Sequence, residues 1–276
     1  MPVPVMLFPK REKRKEAEPM TGTRTRPASK SETKHGTRRR GKAAAILLVL
    51  LLAAAVFAYG SRENLLPVYL RLRGCPESLI SLLERNPETR DFVRHWPQHT
   101  DLRAAEPLNG EVRQGEIPLL LQWDERWGYT RYGSDFLAIT GCGPTCLAMV
   151  CCGVTGREDV TPYTVARMAE DGGYYVPGVG TAWALMTEGA EHLGFEGARL
   201  STGADSIRQA LERGSVLICS MLPGDFTSEG HFIVLCGIDS AGRVTVRDPN
   251  SIVRSQRLWD LEVLAEQTAG VWSYTA

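Results

Sequence analysis

Residues 140–153 read TGCGPTCLAMVCCG and hold four of the seven cysteines in this chain of 276 residues. Only Cys142 stands in a Gly-Cys-Gly-Pro-Thr frame. The apolar run that follows predicts a helix ending at Gly153, and Pro144 suits the first turn of such a helix. Cys142 would then lie where a glycine-rich turn enters a helix, and the positive end of the helix dipole stabilises a thiolate there. This is the strongest signal for nucleophilic chemistry in the sequence.

Gly141 and Gly143, on either side of Cys142, leave room for backbone and substrate to approach closely. Free cysteine is among the most buried residue types, so three further cysteines of the stretch are predicted to be packing residues: Cys146, Cys151 and Cys152. A zinc site needs ligand pairs such as CxxC repeated at a distance, and a redox pair needs one CxxC. The spacing CGPTC followed by CC offers neither. The pattern therefore favours a nucleophile over a metal site, and it predicts no cofactor.

A cysteine nucleophile needs a base nearby and a third group that orients the base. Among the five histidines, His231 opens the run HFIVLCGI at the start of a predicted central strand. A titratable residue there needs a partner, so it is either the base or a hydrogen-bonded core histidine. Asp248 ends the next predicted strand, before a Pro turn that by itself indicates nothing more than a turn. A hairpin turning near residues 239–242 would bring Asp248 beside His231.

Helices come first and strands second in the second half of the chain. Helical patterns follow residue 159, with Thr161 as N-cap and Pro162 at the first helical position, and two more lie within 182–195 and 205–214, each closed by a glycine. The pattern then changes to short β-rich runs in 215–222, 230–239, 242–249 and 271–275. This order predicts an α+β fold and not alternating βαβ units.

Charge is distributed unevenly along the chain. Residues 1–42 carry 13 Lys and Arg against 4 Asp and Glu, whereas the rest carries 19 against 28. Directly after the basic segment, residues 43–58 read AAAILLVLLLAAAVFA, without a charged or polar residue. With the next two residues this reaches the short end of a membrane span, and the basic residues before it place the N-terminus in the cytoplasm. A cleaved signal peptide is the alternative, and in both cases the rest of the chain is exported.

These patterns predict four segments. They are a basic disordered cytoplasmic tail in 1–42, a transmembrane signal-anchor helix in 43–60, a helical stalk and linker in 61–116, and the domain proper in 117–276. A tail rich in Lys and Arg can bind nucleic acid, but its place before the apolar run favours a topology signal. No nucleic-acid partner is therefore predicted.

Five elements together resemble the cysteine peptidase family 39-like domains, which are relatives of the bacteriocin-processing double-glycine peptidases. The elements are LLLQWDERWG, YG, ITGCGPTCLAMV, GHFIVLCGID and DPNS, and the resemblance covers roughly residues 117–265. It implies a papain-like fold in which the nucleophile helix packs on a C-terminal antiparallel β-sheet. It also implies that Cys142 is the nucleophile, His231 the base and Asp248 the group that orients it. Gln122 matches the glutamine that helps to stabilise the oxyanion.

The resemblance implies hydrolysis of peptide bonds in a peptide or protein substrate through a thioester. No GxxxxGKS/T motif is present, so no ATP-binding cassette follows in this chain, and a double-glycine substrate cannot be assumed. Aromatic residues are more often core than binding surface, but three are candidates for a substrate groove: Trp123, Tyr175 and Trp183. The alternatives are a catalytically silent domain that binds a peptide or cell-wall fragment, and a cell-wall amidase or acyltransferase using the same three residues.

Overall fold

The computed structural model describes residues 35–96 and 106–275. The chain divides into two compact units, Met1–Arg62 and Glu63–Ala276. Helix α1 (His35–Leu72) begins within the last residues of the predicted disordered tail, and residues 1–34 of that tail lie outside the described residues. Within the part of the chain that the structure describes, no helix is both long and apolar enough to cross a membrane. The anchor at 43–60 therefore stays a prediction from the sequence.

The second unit contains all the strands that the structure describes and most of the helices. Its helices after α1 are α2 (Glu77–Arg85), α3 (Arg90–His95), α4 (Leu137–Thr140), α5 (Cys142–Thr155), α6 (Pro162–Asp171), α7 (Glu188–His192), α8 (Ala204–Glu212), α9 (Ile252–Gln256) and α10 (Leu261–Glu266). Its strands are β1 (Arg131–Tyr132), β2 (Asp135–Phe136), β3 (Tyr175–Val176), β4 (Gly180–Thr181), β5 (Ala198–Leu200), β6 (Val216–Met221), β7 (His231–Ile238), β8 (Arg243–Arg247), β9 (Leu258–Asp260) and β10 (Thr268–Tyr274). Two 3₁₀ turns, Pro87–Thr89 and Trp183–Met186, complete the list.

Six strands form one antiparallel sheet in the order β5-β10-β6-β7-β8-β9. Strand β7 lies inside it, with His231 paired to Met221 of β6 and Val234 paired to Arg247 of β8. Two short hairpins, β1-β2 and β3-β4, stand apart from this sheet. The helices and the antiparallel sheet, without alternating parallel βαβ units, confirm the predicted α+β class.

Helix α5 forms the centre of the core on one face of the sheet. Residues 143–154 are all buried, and they pack against α6 and β7. Successive side chains of β7 point to opposite faces of the sheet. Phe232 and Val234 pack in the cluster around α5, whereas Ile233 and Leu235 pack in the cluster around α8 and α10. The sheet is thus covered on both faces, and the N-terminus of α5 is placed near the start of β7.

Helix α5 ends three residues later than the sequence predicts. Its C-cap is Gly156, which has a φ of 74° in the left-handed region that favours glycine. Gly153 is needed for a different reason, because a Cβ at this position would lie 2.2 Å from Cδ1 of Ile117. The glycine at 153 therefore permits close packing inside the helix and does not stop it. Helix α6 begins as predicted, with Thr161 capping and Pro162 first.

The segment predicted to be a stalk packs on the domain instead. Leu79 and Phe92 from α2 and α3 are buried in one cluster with Tyr129 and Phe136, which lie in the domain proper. The rings of Phe92 and Tyr129 stack at 4.2 Å between centroids, and the Tyr129 hydroxyl donates to the Phe92 carbonyl. Amphipathic helices gain stability by burying an apolar face, and the domain supplies the surface on which these two do so.

Replacing Phe92 with alanine should lower the free energy of unfolding of the full chain by about 3–5 kcal/mol, because a large buried ring is removed and a cavity remains. Denaturant unfolding followed by tryptophan fluorescence measures this change. The matched control is Leu72→Ala on α1, whose side chain is 83% exposed. If α2 and α3 were a separate stalk, Phe92→Ala would leave the unfolding midpoint of the domain unchanged.

Candidate active site

Cys142 is the first residue of α5 and is partly accessible. The first backbone N–H groups of a helix have no partner within it, so the N–H groups around Cys142 are available to an anion. The neighbouring glycines are required by the protein's own packing. A Cβ at Gly141 would lie 2.5 Å from the Leu137 carbonyl oxygen, and one at Gly143 would lie 2.7 Å from Oγ1 of Thr181. The expected room for close approach is therefore occupied by α4 and the β3-β4 hairpin.

His231, the first residue of β7, lies next to Cys142 and is only 7% exposed. Its Nε2 is 2.8 Å from Oδ1 of Asp248, and Cys142 lies near enough to the ring to influence its pKa. Since a carboxylate only accepts, Nε2 carries the proton shared with Asp248, and Nδ1 remains for the thiol. The β7-β8 hairpin produces this contact, because Val234 pairs with Arg247 and Asp248 follows directly.

Two opposing effects act on the pKa of His231. Burial favours the neutral ring and would lower the pKa, but the negative charge of Asp248, the hydrogen bond to Asp248 and the interaction with Cys142 raise it from 6.5 to about 10. The imidazolium form is thus favoured at neutral pH. A protonated ring places a positive charge beside Cys142.

Asp248 is completely buried, and both oxygens of its carboxylate accept hydrogen bonds. Oδ1 accepts from His231 Nε2 and from the Asn250 backbone N–H at 2.8 Å, and Oδ2 accepts from Arg254 Nε. Burial would raise the pKa of Asp248, but the positive charges and hydrogen bonds of His231 and Arg254 outweigh it and hold the pKa below its usual range. The carboxylate therefore stays ionised.

Gln122 lines the same cavity as Cys142 and His231, which has a volume of about 740 Å³. Its side chain is buried, and its Nε2 donates to the Ala138 carbonyl at 2.7 Å. Among the residues that the structure describes, its Oε1 has no hydrogen-bond partner. Nε2 also donates to the Ile139 carbonyl at 3.4 Å. An amide nitrogen carries two protons, so both donors of Gln122 have an acceptor in this arrangement.

Comparison with known protein families identifies the domain. A model of the Peptidase_C39 like family matches residues 114–276. The chain belongs to this family. The mixed helices, the antiparallel sheet and the family match together establish the papain-like α+β fold.

Among solved structures, the chain is similar to the peptidase domain of Streptococcus ComA, described as a bi-functional ABC transporter involved in a quorum sensing pathway. The identity is 18%, the match covers 50% of this chain and 93% of that chain, and the TM-score is 0.37. Comparison with curated proteins gives no match.

Two of the three groove candidates line the cavity of this C39-like domain. Tyr175 packs on Gly133, whose φ is 65° and where a Cβ would lie 1.9 Å from the ring. Trp183 is 38% exposed and meets Trp272 edge to face, with ring centroids 5.4 Å apart. Both rings are therefore held by the core and present one side to the cavity.

Trp123 has a different place from the one predicted. It does not appear among the residues that line the cavity in the described part of the chain, and it packs against the cluster that contains Phe92. Its Nε1 donates to the Asn250 carbonyl at 3.2 Å, while the backbone N–H of Gln122 donates to the Pro249 carbonyl at 2.8 Å. The adjacent residues 122 and 123 thus support the turn after Asp248 and do not form a groove wall at Trp123.

Sequence reasoning missed Arg254, the second partner of Asp248. The sequence offers a weak signal for it, since it lies six positions after Asp248. It also missed Thr181 behind Gly143, and Asn86, which reaches Asn250 across 164 positions of the chain. Contacts over such separations have no local sequence signature.

The remaining cysteines are all free thiols. Burial raises the pKa of Cys152 and of Cys219 to about 12, and that of Cys146 well above its ordinary value. Among the described residues there is no group of three or more His, Cys, Asp and Glu side chains that could hold a metal ion. Cys142 is therefore the thiol with both access to the cavity and a titratable partner.

Replacing Asp248 with asparagine should lower the pKa of His231 from about 10 towards 6.5. The variant loses the negative charge that raises this pKa, so at pH 8 its His231 should be neutral while the wild-type ring stays protonated. Iodoacetamide should then alkylate Cys142 more slowly in Asp248→Asn, because the positive charge beside the sulfur, which favours attack by cysteine, is lost.

Histidine NMR over a pH series, with signals assigned by His231→Gln, measures the pKa, and mass spectrometry of the peptides measures alkylation of Cys142. A wild-type His231 that titrates near 6.5 would contradict the assigned geometry. Preferential alkylation of Cys146, Cys152 or Cys219 would do the same.

Proposed function

We propose that this protein is a cysteine peptidase that hydrolyses peptide bonds, with Cys142 as nucleophile, His231 as acid and base, and Asp248 as the group that orients His231. The observation that carries the proposal is the Nε2 to Oδ1 distance of 2.8 Å between His231 and the completely buried Asp248. This contact leaves Nδ1 of His231 available to Cys142, which lies near the ring at the N-terminus of α5. The membership in the Peptidase_C39 like family supports the same reaction class.

The proposed reaction is acyl transfer in two steps. The Cys142 thiolate attacks the carbonyl carbon of the scissile peptide, and the imidazolium of His231 gives its proton to the departing amine. The amine leaves, and the acyl group remains on the Cys142 sulfur as a thioester. His231 then takes a proton from a water molecule, which hydrolyses the thioester and releases the acid. Asp248 keeps the ring in one orientation during both proton transfers.

The oxyanion formed in each step needs hydrogen-bond donors. The backbone N–H of Cys142 lies at the start of α5. The side chain of Gln122 lines the same cavity, and its amide would turn from the Ala138 and Ile139 carbonyls to donate to the oxyanion. Such donors act in a site that excludes water and contribute more there than at a surface. The packing of Thr181 behind Gly143 fixes this end of α5 in place.

A peptide in an extended conformation is the substrate class that we propose. Residues of the β3-β4 hairpin and of the loop before β7 line the cavity. Its lining includes apolar and hydroxyl groups (Tyr175, Thr181, Trp183, Ser220, Phe226 and Thr227) and charged side chains (Arg85, Asp225, Glu229 and Arg254). We do not propose a double-glycine sequence as the substrate.

Cys142→Ala should abolish hydrolysis of a peptide library by the full chain, with a loss on the order of 10⁴–10⁶ in rate, because no other group can form the acyl intermediate. Cleavage products identified by mass spectrometry measure this loss. Cys152→Ala is the matched control on the same helix and should retain activity. Hydrolysis that survives Cys142→Ala would refute the assigned nucleophile, and an inactive wild type that binds peptides would favour a silent binding domain.

The location of the enzyme is a further part of the proposal, and it rests on the sequence. We propose that residues 43–60 anchor the chain in the cell membrane, with the N-terminus in the cytoplasm and the peptidase domain outside it. The apolar run in 43–58 and the basic residues RRRGK directly before it support this orientation.

A reporter fused after residue 276 should distinguish the two sides of the membrane. In a bacterial host, a phosphatase that requires export should be active in this fusion, and a fluorescent protein that requires the cytoplasm should be dark. The double substitution Leu48→Arg and Leu51→Arg should reverse both signals. Each charge at the centre of a span raises the free energy of insertion by about 2.5–3.5 kcal/mol. A fluorescent fusion of the unchanged chain would contradict the proposed location.

A further inference from the structure

We propose that Glu88 is a positioning residue for the active site: it holds α9, and through α9 it holds the carboxylate of Asp248 against His231. This inference rests on the proposed peptidase function. Glu88 lies in the 3₁₀ turn after α2, outside residues 114–276 that the family model matches. The segment before the matched region would then be part of the catalytic machinery and not merely attached to it.

The Glu88 carboxylate binds the first turn of α9 with both oxygens. Oε1 accepts from the Ser251 hydroxyl, and Oε2 accepts from the backbone N–H groups of Ile252 at 2.7 Å and Val253 at 3.2 Å. A negative charge at the start of a helix is favourable, and hydrogen bonds to an ionised acceptor are roughly twice as strong as neutral ones. Helix α9 has only five residues, so it depends on such contacts for its position.

Helix α9 in turn holds Asp248. Arg254 in this helix donates from Nε to Oδ2 of Asp248, and the Ser255 hydroxyl accepts from the backbone N–H of Asp248 at 2.8 Å. Ser251 links the two ends, because its hydroxyl donates to Glu88 and accepts from the backbone N–H of Arg254 at 3.0 Å. A continuous series of hydrogen bonds therefore joins Glu88 to His231.

A second contact sets the position of Glu88 itself. Asn86 accepts through Oδ1 from the Glu88 backbone N–H at 3.1 Å and donates through Nδ2 to the Asn250 carbonyl at 2.6 Å. Leu82, Arg85 and Asn86 from the same segment also line the cavity. The 3₁₀ turn is thus fixed against the loop after β8, and α2 forms one wall of the cavity that contains Cys142.

The turn after Asp248 has supports that do not involve Glu88. Gln122 and Trp123 bind the carbonyls of Pro249 and Asn250. Loss of Glu88 should therefore leave the backbone of this turn in place and mainly release α9 with Arg254. The titratable and charged groups that face His231 are Cys142 and Asp248, and Arg254 faces Asp248 from α9. Release of Arg254 should therefore change the orientation of the Asp248 carboxylate against His231.

Three variants of the full chain test this inference: Glu88→Ala, Glu88→Gln and the matched control Glu84→Ala. Glu84 lies one turn earlier, on α2, is exposed, and pairs with Arg71 on α1. We expect kcat of Glu88→Ala to fall about 10- to 100-fold, because small displacements of a catalytic group cost up to about 10²-fold in rate. KM should stay within about twofold of the wild-type value, since Glu88 does not line the cavity. Glu88→Gln keeps an acceptor for the N–H groups of α9 and should recover part of the rate.

Histidine NMR supplies a readout that does not require activity. In Glu88→Ala the pKa of His231 should fall, because Asp248 is held less firmly against the ring, and in Glu84→Ala it should match the wild type. An unchanged pKa and kcat in Glu88→Ala and Glu88→Gln would overturn the inference, even if the unfolding midpoint dropped. If the wild type hydrolyses no peptide, the proposed function fails, while the shift in the His231 titration still decides whether Glu88 positions the site. If Glu88→Ala does not fold, Glu88→Gln gives the same readouts.

Discussion

The buried carboxylate of Asp248 is the constraint on which the site depends. An ionised group shielded from solvent must be paired and hydrogen-bonded. A buried charge without a partner costs roughly several kcal/mol of folding free energy. The fold meets this requirement with the ring of His231, the backbone N–H of Asn250 and the guanidinium of Arg254. Each of these donors comes from a different element: β7, the turn after β8, and α9. The positions of these elements therefore matter for the protonation state of His231 as well as for stability.

The sheet and the helices position different residues of the site. The sheet supplies fixed register, since the β7-β8 pairing places His231 and Asp248 at the same end of two neighbouring strands. Helix α5 supplies the thiol and the free N–H groups at its start, and its buried length anchors it against the sheet. Loops then adjust what these rigid elements bring together. Such a division is common in enzymes, where functional residues lie on short segments supported by a rigid scaffold.

The sequence predicted the elements with strong local signals. The α+β class, the start of α6 at Thr161 and Pro162, and the positions of β6, β7, β8 and β10 all follow from patterns within a few residues. The end of α5 was predicted wrongly, because Gly153 looks like a stop signal but serves the packing of Ile117. The role expected for Trp123 was also misplaced, since an aromatic residue gives the same signal whether it lines a groove or supports a turn. The placement of α2 and α3 on the domain was missed, because an amphipathic pattern shows that a face is buried but not what buries it.

By itself the sequence determined the residue types of the site and their order: a cysteine entering a helix, a histidine opening a strand, and an aspartate ending the next strand. Local propensity and capping are enough for this, because they act between residues that are close in the chain. Tertiary structure alone decided which side chains complete the environment of Asp248. Arg254 reaches Asp248 from α9. Asn86 and Glu88, from one 3₁₀ turn, reach the loop after β8 and the start of α9 across more than 160 positions. Their contacts exist because the 3₁₀ turn after α2 lies against the loop after β8 and the first turn of α9. Side-chain contacts over such distances follow from packing and leave no periodic trace in the sequence.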